Sequence, residues 1–139
     1  MVRAKLFPFA SSILPALALV SLTVAGPAQA APTGTGCTDK SDAGTATAKF
    51  KPYGEHLLVT DNSKDGHSAI GHVQITWGSA THYWYWNRDG AGTTRDVNLS
   101  YKEGRSIFVG AYTGDWSGSA TKGIDHSSNT VIPTCRATA

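Results

Sequence analysis

The chain has 139 residues, 40% of them hydrophobic, with 12 Lys+Arg against 10 Asp+Glu and two cysteines. That length holds one domain and is too short for two, and the near balance of charge argues against nucleic acid or an anionic membrane as partner, because such binding rests on clustered positive charge.

Residues 1–30 read as an export signal. Arg3 and Lys5 give a basic start, Ile13 to Ala25 is a largely apolar run without a charge, and Ala28-Gln29-Ala30 is the small-x-small pattern cut by signal peptidase. Pro15 and Ser21 interrupt the run, which is shorter than the ~20 residues a membrane span requires. No cysteine follows it to carry lipid and no Arg-Arg pair precedes it, so the general secretory route is expected, with a released, extracellular product and no membrane contact after cleavage. Removing 30 of 139 residues leaves 109, and with Arg3 and Lys5 gone ten basic residues face ten acidic ones.

Residues 31–47, rich in Gly, Thr, Ala, Ser and Asp without periodicity, are expected to form an irregular leader, and residues 48–139 a single β domain. Short β-branched and aromatic runs separated by Gly/Asp/Asn clusters predict strands over Ala48–Tyr53, His56–Thr60, Ser68–Trp77, Ala80–Trp86, Arg95–Tyr101, Ser106–Thr113 and Thr130–Thr134, with essentially no helix. Lys102-Glu103-Gly104 fits a three-residue loop with its Gly in the left-handed region, and Asp115 to Ser128 is expected to be a long, mobile polar loop. The fold class that follows is all-β, a small antiparallel β-sandwich, with a small β-barrel as the alternative. Cys37 and Cys135, near the two ends of the mature chain, read as a disulfide in an oxidising compartment. It would close a loop of about 100 residues, for which the loop-closure entropy is about 4.7 kcal/mol.

Gly78-Ser79 fits a two-residue hairpin turn, which sets Trp77 opposite Ala80, Val73 opposite Trp84 and Gly71 opposite Trp86. In that register His82, Trp84 and Trp86 face the core beside Val73, while His72, Gln74, Tyr83 and Tyr85 face outward. Those four, extended by Trp116 from the long loop, form a candidate binding platform for an extracellular glycan or protein, since aromatic faces carry large contact area at low entropy cost. Ordinary cross-strand packing is the competing account of the same aromatics. Along Ser106 to Thr113 apolar residues fall on both faces, which predicts a central strand.

Asp61, Ser63 and Asp65, followed by Gly66, resemble the first half of a calcium loop, but its twelfth position is His72 rather than an acid. A polar turn in which the carboxylates serve the backbone is the stronger reading. The five histidines show no short metal-ligand spacing, and no nucleophile elbow or paired-carboxylate pattern is present, so no cofactor and no catalysis are expected.

The runs Gly54 to Asp61, Asp65 to Ala69 and Thr94 to Asn98 resemble small secreted actinobacterial β-domain proteins of uncharacterised function. The resemblance, over roughly Ala48 to Cys135, implies export, a compact β fold and no assigned activity. It also implies a further cysteine near the position held here by Ala111, where this chain has none. Size and compartment are also similar to those of small α-amylase inhibitors, but Trp86-Asn87-Arg88 is only a loose echo of their Trp-Arg-Tyr turn. The expected function is a secreted, monomeric, non-catalytic binding protein. A small hydrolase or hydrolase inhibitor and a passive exported structural protein are the alternatives.

Overall fold

Alternation of small or branched apolar residues with polar ones, two residues per repeat, lets each strand bury one face. The computed structural model describes residues 34–75, 81–130 and 135–139. In chain order the strands are β1 (Cys37–Lys40), β2 (Ala46–Lys51), β3 (His56–Asp61), β4 (Ser68–Gln74), β5 (His82–Asn87), β6 (Thr94–Asn98), β7 (Ser106–Gly114), β8 (Ile124–Asp125) and β9 (Cys135–Thr138). One sheet runs β1-β2-β3-β6; the other runs β5-β4-β7, with β8 and β9 both paired to β7. Every pairing is antiparallel. The two sheets pack as a small β-sandwich, the all-β architecture the sequence implies.

The core between the sheets takes Ala46, Ala48 and Phe50 from β2, Leu57 and Val59 from β3, Ala69 and Val73 from β4, and Ile107, Val109 and Ala111 from β7. β7 is central, as its two-sided apolar pattern predicts. Gly104 takes φ +77° in the turn ahead of it, but that turn carries the chain from one sheet to the other, since β6 and β7 belong to different sheets.

Five expectations need correction. The leader is not irregular: β1 lies inside it, paired along its length with β2, which itself starts at Ala46. β1 is polar because it is an edge strand that buries only alternate residues. Its Asp39 carboxylate accepts hydrogen bonds from Ala111 N–H at 2.9 Å and Asn129 Nδ2 at 2.7 Å, closing the part of the β7 edge that neither β8 nor β9 covers. β6 ends at Asn98, although Leu99 and Tyr101 keep its alternation and pack against the core. Within the Asp115 to Ser128 loop lie β8 and a single 3-10 turn, His126–Ser128, capped by the Asp125 carboxylate. The last strand is Cys135–Thr138, beyond the predicted segment, of which 131–134 lie outside the described residues.

The fifth correction is the register of the β4–β5 hairpin. Its proposed turn, Gly78-Ser79, lies outside the described residues, but on the flanking strands Ile70 pairs with Trp86, Gly71 with Tyr85, His72 with Trp84 and Val73 with Tyr83. β5 is thus displaced by one residue from expectation, while the faces of β4 are as predicted. Polar satisfaction explains the displacement. Asn87, fully buried, now points inward and donates through Nδ2 to Val59 O at 3.1 Å and Thr93 O at 3.0 Å. Trp86 points outward, where its Nε1–H finds Ala120 O at 2.9 Å. The alternative pairing would place an indole N–H against Leu57 and Val59, which offer it no side-chain acceptor.

Candidate functional site

The displaced register gathers an unusual set of side chains on the outer face of the five-stranded sheet. Ile70, His72 and Gln74 of β4 alternate outward, and so do His82, Trp84 and Trp86 of β5 and Tyr112 of β7. Ile70, Trp86 and Tyr112 form a second hydrophobic cluster, with Trp84 and Ile124 packed against it. An outer sandwich face is ordinarily solvated and polar. Here it carries a cleft of about 510 Å³ lined by His72, Gln74, His82, Trp84, Tyr112, Thr121 and His126. β7 contributes Gly110 directly opposite His72, so no side chain rises there from that strand.

Ring geometry orders the cleft. His72 stacks on Trp84 with centroids 4.3 Å apart, and Tyr112 meets both edge-on, at 5.8 Å from His72 and 5.3 Å from Trp84. His126, brought in by the 3-10 turn, stands edge-on to Trp84 at 5.7 Å. Such contacts contribute about 0.5–1.5 kcal/mol each beyond burial. They hold the half-buried Trp84 indole in place at the cleft wall.

His72 is 3% exposed, and its Nε2 lies 2.8 Å from His82 Nδ1. Burial, with smaller contributions from His82 and His126, pushes its pKa down to about 4, so the imidazole is neutral at pH 7. Its Nδ1 is buried without a hydrogen-bond partner. A buried N–H without an acceptor is costlier than a bare lone pair, which assigns the His72 proton to Nε2, donating to His82 Nδ1. The exposed His82 then carries its proton on Nε2 as a donor facing solvent. Burial likewise raises the Tyr112 phenol above its ordinary value, with Asp39 and Asp42 adding to the shift, so it stays protonated. Among the described residues no Asp, Glu, Lys or Arg lines the cleft.

Of the residues singled out from sequence, His72 and Gln74 line this cleft. Trp116 stands on the same face: it meets Trp86 edge-on at 5.2 Å, and the Arg88 guanidinium lies 4.5 Å over its ring. Tyr83 and Tyr85 belong to the opposite face, where Tyr85 packs against the main core and Tyr83 remains 38% exposed. The four-residue platform is therefore split across the sheet. His82, Trp84, Tyr112, Thr121 and His126 replace its tyrosines, and the alternation of His82, Trp84 and Trp86 would have found three aromatics on one face had the register been known.

In the proposed calcium loop the Asp61 carboxylate accepts Ser63 N–H at 3.2 Å and Asp65 accepts His67 N–H at 2.9 Å. Both carboxylates thus serve the turn backbone, and Asp61 is itself buried. Among the described residues no group of three or more His, Cys, Asp or Glu is placed to hold a metal ion. Cys37 and Cys135 form the expected disulfide, and no described helix is long and apolar enough to cross a membrane. No protein-family model matches this chain, and neither curated proteins nor solved structures provide a match to it.

Proposed function

We propose that this is an exported, non-catalytic binding protein whose contact site is the cleft on the outer face of the five-stranded sheet. The observation that carries the reading is the stacked array of His72, Trp84 and Tyr112 lining a concave cleft on the outer face, outside the main core between the sheets. Ligand sites are typically concave, largely apolar and supplied with a few convergent polar groups, and this cleft has that make-up. Export is supported by the basic-apolar-small pattern of residues 1–30 and by a disulfide of the kind that persists in oxidising compartments. Among the described residues the lining holds no carboxylate and no activated nucleophile, which favours binding over hydrolysis.

Titrating the isotope-labelled protein with glycan and peptide panels should move the amide resonances of His72, Trp84, Tyr112 and Thr121 first. Shifts confined to the other sheet, around Lys49 or Tyr53, would reject the site. Tyr85→Ala separates this reading from the tyrosine platform. It should lower stability by about 2–4 kcal/mol through lost packing, yet leave binding by the remaining folded protein unchanged.

A further inference from the structure

We infer that the cleft accepts a neutral, polyhydroxylated ring, a saccharide unit, laid with its C–H face against Trp84. This rests on the reading that the cleft is the contact site and names the chemistry it selects. Charge is the first discriminator. A carboxylate or ammonium entering the cleft would lose hydration and meet no permanent opposite charge, because among the described residues no acid, lysine or arginine lines it. The nearby guanidinium of Arg88 is already placed over Trp116.

Hydrogen bonding is the second. The exposed His82 Nε2–H donates, while the side chains of His126, Thr121 and Tyr112 each offer a donor, an acceptor or both. Hydroxyl groups, which donate and accept at once, match so mixed a lining, whereas a wholly apolar ligand would strand these groups without water. Shape is the third. A half-exposed indole, fixed by His72 and Tyr112, offers a flat face whose negative π potential suits the slightly positive C–H bonds of a sugar ring. The cleft volume, about 510 Å³, lies within the range of about 300–1,000 Å³ typical of ligand sites.

The test is calorimetry and amide-shift mapping on the full exported protein. Its probes are neutral oligosaccharides (gluco-, xylo-, manno-, galacto- and chito-series), acidic oligouronides and an aromatic-rich peptide. At least one neutral series should bind saturably, shift His72, Trp84 and Tyr112, and weaken roughly tenfold or more in Trp84→Ala, about 1.4 kcal/mol. If Trp84→Ala fails to fold, His82→Ala, an exposed change, decides the matter. A loss of threefold or more upholds the proposal, and unchanged affinity overturns it. Oligouronide or peptide shifts at the cleft, with none from neutral sugars, would overturn the saccharide class and leave the contact site standing. No cleft shift from any probe would overturn both.

Discussion

His72 is held in a protonation state that folding dictates. The unfolded imidazole titrates near 6.5, the folded one at about 4. Between those values the unfolded chain binds the extra proton and the native one does not, so stability falls as pH drops through that window. Full protonation of the unfolded state would cost on the order of 3 kcal/mol. His67 acts in the opposite sense. Its hydrogen bond to Asp115 raises its pKa, so its stabilisation is present at low pH and lost as pH rises through the folded value. The exposed carboxylates of Asp42 and Asp125, both lowered by hydrogen bonds, contribute stability that disappears only at still lower pH. Comparing wild type with His72→Gln isolates the buried imidazole. Urea midpoints measured from pH 7.5 to 4 should fall more steeply in wild type, and parallel curves would show that His72 is not responsible.

At the scale of the element, the β4–β5 hairpin decides which side chains meet. Gly71 pairs with Tyr85, and a Cβ added there would stand 2.6 Å from Val59 Cγ2 and 3.0 Å from Leu57 Cδ2. The missing side chain makes room for the facing sheet rather than for an indole on the neighbouring strand. Gly71→Ala should therefore destabilise by overpacking, about 1–3 kcal/mol by chemical denaturation. A neutral or stabilising result would mean that Val59 and Leu57 retreat freely. The same hairpin marks where the sequence stops being legible. β3 and β7 could be read directly, because Leu57 and Val59, or Ile107 and Val109, alternate with less buried neighbours. β5 could not: His82 to Trp86 is aromatic on both faces, so hydrophobic pattern alone fits either register. What settles it is the buried Asn87 amide, which reaches Thr93 six residues on and Val59 in the facing sheet, 28 residues back along the chain. His72 and Gln74 were legible because β4 has one clean apolar face, whereas Tyr112 and His126 come from distant elements that only the tertiary fold brings in. β1 was hidden by its polar composition, which reflects one-sided burial at an edge.

For the whole molecule, the disulfide does more than fasten two tails. Cys37 opens β1 in one sheet and Cys135 opens β9 in the other, so the bond ties the two sheets along one side of the sandwich. Main-chain hydrogen bonds reinforce the tie: Thr35, just ahead of β1, and Thr138 of β9 exchange both of theirs at 3.0 Å. On the same side, Asp39 and Asn129 close the exposed stretch of β7. The cleft, by contrast, is supported by pairings of β4 with β5 and β7 that do not involve the disulfide. Replacing both cysteines by serine should thus lower unfolding free energy by about 2–5 kcal/mol while preserving the aromatic cluster. Near-ultraviolet circular dichroism, dominated by coupled tryptophans such as the Trp86–Trp116 pair, should keep its shape below the lowered melting temperature. Loss of that spectrum in a variant that retains its strand signal would show instead that the sandwich closure holds the binding face in place.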